Sequence, residues 1–383
     1  MRLVLHGGFA EKGRTCIAVE VDGYRLLLDA GVKTSATGAN DYYPAISAAQ
    51  LRATDTIIVT HAHEDHMGAL GWCIAGGFSG RIFVTPESGR ELLQCLSEYG
   101  EPAHVELLRK YDIERLPLGK HALQLGPLQI STGRSGHIVG GVWCMIDDRS
   151  ARFQYCGDVV PASRIFAMDP PPASHAIAID ASYGDDDVAL AERTAEVARW
   201  IAARPGGCVL PTPLFGRSAE LLAIIPGPVA VAPQMREALR AQIDDSNWLT
   251  PGTATLLTER LATATEWRDG MPLPPAALLC HDGMGMAGPA REILVAARAR
   301  RHPTLFTGHL PSGSPGSLML AAGRADWLRL PTHPTLTENL ALVAGSQATI
   351  VLGHSCEQTV LDRLQARMPS LRVDLATGHH IDI

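Results

Sequence analysis

The sequence predicts a layered α/β protein built in two parts, and three observations carry that expectation. In the first half, short β-type runs end in Gly, Asp or Pro, as in "RLVLHGG", "TCIAVEVDG", "YRLLLDAG", "DTIIVTHAH" and "GRIFVTP". From about residue 188 the pattern becomes a regular alternation of helix and strand. Between the two lies the Pro cluster "MDPPPASH", which predicts a rigid connection rather than a helix.

The elements follow in order. "GALGWCIAGG" and "SGRELLQCLSEYG" read as helices, the second with a Ser start and a Gly stop. Strand signals resume in "PLQISTGRSGH", "GVWCMIDD", "ARFQYCGD" and "HAIAIDASYGD", with hairpin-like steps that fit a layered domain. "DVALAERTAEVARWIAARPGG" is a long amphipathic helix, and "CVLPTPLFGRSAELLAIIPG" reads as strand, loop, helix. With the buried runs "VAVAP", "AALLCHDG" and "PTLFTGH", they predict a second, parallel-sheet domain over roughly residues 185–330. The tail returns to helix and strand in "TLTENLALVAG", "ATIVLGH", "QTVLDRLQARM" and "LRVDLATG".

Composition agrees. The chain has 383 residues, 46% hydrophobic and 19% charged, enough for one large domain or two moderate ones. Aromatic content is 5%, so the core must come mainly from Leu, Val, Ile and Ala. A net charge of −7 leaves no global basic footprint for nucleic acid, although bound divalent cations would dominate the field in a cleft. The 8 cysteines are scattered without a C-x-x-C pair, which argues against a zinc ribbon or thioredoxin-like site and for small core residues. The N-terminal apolar run is too short for a signal peptide and no stretch reaches membrane-spanning length, so a cytoplasmic protein with no membrane partner is expected.

Chemistry concentrates in "THAHEDHMGAL", directly after the apolar run "TIIVT". His61 and His63, two apart in extended chain, project to the same side. Asp65 and His66 fall at the start of the following helix. Imidazole and carboxylate suit zinc and similar first-row ions, and two ligand sets could hold two ions. A polar turn of satisfied surface histidines is the bland alternative, but four donors spaced H-x-H-x-D-H after a buried strand outweigh it. Further ligands should then lie at other strand ends, where His137 in "SGHIVGG" and Asp158 in "FQYCGDVV" stand. His379 and His380 are ligands by type, but their place near the end of the sequence favours a solvated tail.

These motifs, in this order and with Asp29 in "LLLDAG", resemble the metallo-β-lactamase fold superfamily. The resemblance implies a four-layer αβ/βα sandwich with a dinuclear site at one edge of its sheets. It implies that His61, His63 and His137 hold one ion, that Asp65 and His66 hold the second, and that Asp158 bridges both. The second half narrows the family. "AIDASYGD", "GGCVLPTPLFGRSAELLAII", "HDGMGMAGPAREIL", "LFTGHLPSGSPG", "LPTHPTLTENLALV" and "TIVLGHSCEQTVLDRL" resemble segments of the β-CASP proteins, and "HGGFAEKGRTC" fits them too. That resemblance makes Asp180 the acid opening the β-CASP insertion, His333 the motif histidine and His354 a final ligand of the second ion. It divides the chain into a first metallo-β-lactamase part at 1–184, an inserted β-CASP α/β domain at 185–330 and a completing part at 331–383. Two departures stand out. His333 is followed by Pro334 and Thr335 where an acid is usual two residues on, and His354-Ser355-Cys356-Glu357 replaces the usual His-Gly-Glu.

The implied activity is hydrolysis of phosphodiester bonds, most simply a ribonuclease, with two divalent ions as cofactors, zinc first and manganese as the alternative. The expected partner is nucleic acid, RNA ahead of DNA, and a homodimer is expected because relatives commonly dimerise. A phosphodiester is anionic and resists water, and paired ions activate a bridging water and stabilise charge on the phosphate oxygens. Catalysis is assigned to Asp65 through the second ion and to His333 as general acid, with Asp180 orienting it. Arg217, Ser218 and His309 are the candidate substrate contacts, Arg217 and Ser218 beside a helix N-terminus suited to anions. A structural salt bridge for Arg217 and a satisfied turn for His309 are equal alternatives. A hydrolase of a small phosphodiester or ester, or a DNA nuclease, on the same centre competes with this reading, and a non-catalytic scaffold is disfavoured because every ligand type is present.

Overall fold

The computed structural model describes the backbone of residues 1–383 and all side chains except those of residues 39 and 40. The strands in chain order begin with β1 (Arg2–Gly7), β2 (Cys16–Val21), β3 (Tyr24–Leu28), β4 (Thr56–Ile58), β5 (Arg81–Val84), β6 (Ile113–Arg115) and β7 (Gly119–Leu125). β8 (Leu128–Arg134), β9 (Val142–Asp147), β10 (Arg152–Tyr155), β11 (Ala176–Asp180), β12 (Cys208–Pro211) and β13 (Val229–Val231) follow. β14 (Thr265–Glu266), β15 (Ala277–Cys280), β16 (Leu305–Phe306), β17 (Asp326–Trp327), β18 (Ile350–His354) and β19 (His380–Asp382) complete them. The chain forms two compact units: residues 1–162, 168–187 and 333–383 make the first, and residues 163–167 with 188–332 make the second.

The first unit holds two mixed sheets, ordered β19-β1-β2-β3-β4-β5-β6 and β18-β11-β10-β9-β8-β7. β1 to β3 pair antiparallel and β3 to β6 parallel, whereas β7 to β10 pair antiparallel and β10, β11 and β18 parallel. Strands covered on both faces need apolar residues at consecutive positions, which the runs "TCIAV" and "AIAID" supply. On one face of the first sheet Ala18, Leu27, Ile57 and Ile82 pack with Leu51, Leu70, Leu92 and Leu108 of the helices. On the second sheet Ile177, Ile179 and Val351 pack with Leu336, Leu361 and Leu364. The opposite faces, including Ile17, Val19, Leu26, Ile130, Ile146 and Phe153, are equally buried. Tyr155 of β10 reaches Asp29 after β3, joining the sheets, so the layers run helix, sheet, sheet, helix.

The second unit carries a parallel sheet ordered β12-β15-β13-β14 and a two-stranded parallel pair, β16-β17. Its core packs Val209, Ala230, Leu278 and Phe306 against Ile293, Leu294 and Met319. The segment "MDPPPASH" carries no helix, as its prolines require. One expected start moves: the helix Pro86–Tyr99 begins before Ser88, because Thr85 caps the Ser88 N–H (3.3 Å) and Pro86 is preset for the first turn. All 8 cysteines are unbridged, and all but Cys95 are buried. No helix among the described residues is long and apolar enough to cross a membrane.

Candidate metal centre

The first unit brings its chemistry to the carboxyl ends of its parallel strands, where open α/β sheets form crevices. β3 runs into Asp29, β4 into His61 and His63, β10 into Asp158, β11 into Asp180 and β18 into His354. Asp180 and His354 stand opposite each other in the parallel register of β11 and β18. His63 is the N-cap of the short helix Glu64–Met67, so Asp65 and His66 lie in its first turn, as expected. Gly31 is required below that turn: a side chain there would run into the backbone carbonyl of Asp65.

His61, His63, His137 and Asp158 bring ligand atoms within 4.8 Å of one another. His63 Nδ1 stands 3.2 Å from His61 Nε2 and 3.1 Å from His137 Nε2. Asp158 Oδ2 lies 3.8 Å from His61 Nε2 and 3.7 Å from His137 Nε2. Ligands about 2.0–2.1 Å from a tetrahedral ion are spaced about 3.3 Å apart, so this donor set fits a zinc-like ion. Shared protons cannot satisfy three nitrogens so placed; one cation held by their lone pairs can.

The second set is looser. The other oxygen of Asp158, Oδ1, lies 3.0 Å from His66 Nε2, and Asp65 Oδ2 lies 4.0 Å from the same nitrogen. His354 is fully buried, and its Nε2 has no hydrogen-bond partner among the described residues. A buried imidazole nitrogen left unpartnered is available to a metal ion. The seven donors proposed from sequence are therefore gathered in one unit, with the two oxygens of Asp158 turned toward different sets.

Asp29 organises both sets without belonging to either. Its Oδ1 accepts from the Thr60 N–H (2.7 Å), and its Oδ2 accepts from Thr60 Oγ1 (2.8 Å), His66 Nδ1 (2.7 Å) and Tyr155 Oη (2.7 Å). Thr60 Oγ1 in turn lies 3.1 Å from His61 Nδ1. Because a carboxylate only accepts, the Nδ1 proton of His66 is fixed and its Nε2 faces Asp158. Through Thr60 the same carboxylate fixes His61. Ser355 does the equivalent for His354, its Oγ lying 2.8 Å from Nδ1. Ser355 holds φ at +66°, a conformation glycine adopts more readily, so the departure from His-Gly-Glu exchanges backbone ease for a ring contact.

Burial depresses the pKa of His61, and its neighbours His66 and His63 press it further down, favouring the neutral form that binds metal. Burial likewise lowers His354. For His66 burial works the same way, but Asp158, Asp65 and Asp29 outweigh it and raise the imidazole well above its ordinary value. Burial opposes ionisation of Asp158, yet the charges of His66 and His333 hold it well below the usual carboxylate range.

Beside the donors, His333 Nδ1 lies 2.8 Å from Asp180 Oδ2 and 3.5 Å from Asp158 Oδ2. These three also bring ligand atoms within 4.8 Å, but the short hydrogen bond already engages Nδ1. Asp180 is held by the Ser182 N–H at Oδ1 (3.0 Å) and by Asn339 Nδ2 at its backbone carbonyl (2.9 Å). The His333 ring stacks on His137 (5.5 Å) and meets Tyr183 edge-on (5.0 Å). Burial disfavours its charge, but Asp180 and Asp158 outweigh both burial and the opposing Lys12 ammonium, so its pKa is raised. After His333, Thr335 caps the helix Leu336–Ser346 with Glu338 completing a capping box, which gives the replaced acid position a structural role.

The substrate residues expected from sequence lie in the second unit. Arg217 opens the helix Arg217–Ile224, donates to Thr332 Oγ1 (2.9 Å), and lies where any side chain at Gly308 would collide with its guanidinium. Ser218, expected as a substrate contact, is fully buried, and its hydroxyl donates to the Leu214 carbonyl (2.6 Å). His309 is exposed. His379 and His380 stand apart from the donor sets, with His380 in the edge strand β19 paired to β1. Sequence reasoning named Asp29 but not its role as a hub, and it missed Tyr155, Thr60 and Ser355; the left-handed φ of +62° at Asp29 follows from a fold that sequence does not display.

Residues 11–197 match the family described as the metallo-beta-lactamase superfamily. The chain is 28% identical over 255 residues to transcription termination factor FttA of Methanothermobacter thermautotrophicus, covering 58% of this chain and 39% of that protein. It is 26% identical over 238 residues to cleavage and polyadenylation specificity factor 73 of Drosophila melanogaster, covering 57% of this chain and 34% of that protein. An RNase J-like protein of Methanocaldococcus jannaschii is 23% identical over 82% of this chain and 79% of its own length. The chain thus spans well under half the length of the first two relatives. A crystal structure of a protein of unknown function from Enterococcus faecalis matches at TM-score 0.62 and 12% identity over 99% of both chains, a likeness of fold. The matched domain and the relatives agree: residues 11–197 carry a metallo-β-lactamase superfamily domain, and the chain resembles these three relatives over 57–82% of its length.

Proposed function

We propose that the protein is a metal-dependent phosphodiester hydrolase, a β-CASP ribonuclease that cleaves RNA with water. The observation that carries this reading is Asp158, whose two oxygens face two donor sets while the His333–Asp180 pair stands beside it. His61, His63, His137 and Asp158 would hold one divalent ion, and Asp65, His66, His354 and Asp158 the other. When bound, such a pair supplies Lewis acidity that activates water and stabilises charge on phosphate oxygens. The imidazole-rich first set favours zinc over manganese.

The chain's own residues supply the proton. His333 donates its Nδ1 proton to Asp180, which leaves Nε2 as the nitrogen for a leaving oxygen. Its pKa is raised by Asp180 and Asp158 against burial, the direction a proton donor needs, and its side chain is 17% exposed, so a substrate atom has access. Asp180, fully buried and doubly bonded, holds the ring's orientation. Relatives named for transcription termination, for cleavage and polyadenylation and as RNase J-like support RNA as the substrate class. We assign residues 185–330, which nearly coincide with the 188–332 part of the second unit, as the β-CASP domain, and propose a homodimer and the cytoplasm as the protein's working state.

Metal analysis with a cleavage panel of end-labelled RNA and DNA tests the proposal. It predicts bound divalent metal and RNA cleavage that is lost in Asp65→Ala and His333→Ala. A metal-loaded protein that leaves single- and double-stranded RNA intact would refute the RNA reading, and cleavage unaffected by Asp65→Ala would refute the metal mechanism.

A further inference from the structure

Three segments of the first unit meet at the start of the helix Leu336–Ser346, and each carries one member of the Asp158, Asp180 and His333 cluster. The first follows His333 itself: the Thr335 N–H (2.7 Å) and hydroxyl (2.9 Å) both donate to Glu338 Oε2. The second follows Asp158: the Ala162 N–H donates to the other oxygen of Glu338, Oε1 (2.9 Å). The third follows Asp180. There the Leu336 N–H donates to the Asp186 carbonyl (3.0 Å), and the Thr337 N–H (2.8 Å) and hydroxyl (2.9 Å) donate to the two oxygens of Asp187. The next residue, Asn339, holds the Asp180 carbonyl from the same helix.

A helix start leaves its first N–H groups without intrahelical acceptors, and a capping box serves two of them. That box is complete with Oε2 of Glu338 alone, so the bond from Oε1 to Ala162 adds nothing to the helix. It ties the segment behind Asp158 to the segment behind His333. What the ties govern is a choice between two carboxylates: His333 Nδ1 stands 2.8 Å from Asp180 Oδ2 and 3.5 Å from Asp158 Oδ2. A small displacement of either segment would exchange one for the other, and an imidazole bonded to Asp158 would compete for a donor that both sets share. We propose that the first turn of this helix is the positioning device of the proton donor: Glu338 and Asp187, with Asn339, hold His333 on Asp180 and off Asp158. The assignment rests on the phosphodiesterase reading above.

Two substrates separate positioning from general damage. When water cleaves RNA, the P–O bond breaks with its electron pair going to a ribose oxygen, which takes the proton of His333 Nε2. Bis(p-nitrophenyl) phosphate releases p-nitrophenolate, a stable anion that needs no proton donor. The wild-type chain is compared with Glu338→Gln, Asp187→Ala and Asp187→Asn on both substrates, with metal content measured on each. Gln completes a capping box as Glu does, but with its one oxygen on Thr335 it turns an amide donor toward the Ala162 N–H. Asn can still meet the Thr337 N–H and hydroxyl, whereas Ala meets neither. Glu338→Gln and Asp187→Ala are each expected to lower kcat on RNA about tenfold at unchanged KM. Asp187→Asn should keep most of the activity, and aryl diester hydrolysis and metal content should stay at the wild-type level throughout. Wild-type RNA cleavage in both Glu338→Gln and Asp187→Ala overturns the assignment and leaves the RNA reading standing. An equal fall on both substrates, or lost metal, overturns it as a general disturbance of the centre. A wild-type chain that hydrolyses the aryl diester but no RNA refutes the RNA reading and the assignment with it, and one that hydrolyses neither refutes the phosphodiesterase reading as well.

Discussion

The two donor sets of the centre are built in different ways. The first joins three imidazoles whose nitrogens already stand 3.1 and 3.2 Å apart, two of them from one strand end. The second is assembled from a helix start and a distant strand, with Asp65 4.0 Å from His66 and His354 Nε2 unpartnered. Asp29 bonds the second set's His66 directly and reaches the first set's His61 only through Thr60, while Ser355 holds His354 of the second set. Direct support from neighbouring side chains makes the second set the one that a substitution in its surroundings loosens more.

The largest effect should come from breaking the shared member. Asp158→Ala removes an oxygen from both sets and is expected to strip metal from the protein and reduce hydrolysis by about 10³-fold, read by metal analysis and a cleavage assay. His333→Ala should leave both sets intact. Metal content is expected to stay at the wild-type level while hydrolysis falls by about 10²–10⁴-fold, a split that separates the proton donor from the ligands.

A finer break targets the support of one set alone. Ser355→Ala frees Nδ1 of His354, and Tyr155→Phe removes one of the three hydrogen bonds that Asp29 Oδ2 accepts from side chains. Ser355→Ala should weaken one ion by about 10-fold in a metal-competition titration and leave the other unchanged, whereas Tyr155→Phe, acting through Asp29, should weaken the second set's ion more than the first's. Equal weakening of both ions would erase the distinction between the sets.

A last effect lies away from the centre and isolates acid sensitivity of the fold. His6 is buried, its Nδ1 2.8 Å from the Ala45 carbonyl and its Nε2 2.6 Å from Arg25 Nη2. Burial lowers its pKa to about 4, against the Ala45 bond and with help from Arg25. The folded chain then binds fewer protons than the unfolded one between its ordinary value, about 6.5, and about 4. This contribution is present above pH 6.5 and is lost as pH falls toward 4, up to about 3 kcal/mol. Urea unfolding between pH 7 and 4 should therefore flatten in His6→Gln.

Legibility in the sequence followed the same division. The H-x-H-x-D-H spacing, His137 and Asp158 after apolar runs, and Asp180 and His333 in their motifs could be read because a strand end fixes where a side chain points. The layered fold was legible from its apolar runs and glycine stops. What sequence did not show depends on pairings across the chain. Tyr155 meets Asp29 only when two sheets pack, and Ser355 gains its role only at a left-handed turn. Ser218 looked like an anion contact because a helix starts beside it, but its hydroxyl turns back to Leu214.

The most direct test of the two-set centre is the number of divalent ions held tightly by the wild-type chain and by His354→Ala. The account predicts two per chain in the first and one in the second, with the remaining ion bound as tightly as before. Two ions held at wild-type affinity in His354→Ala would contradict it.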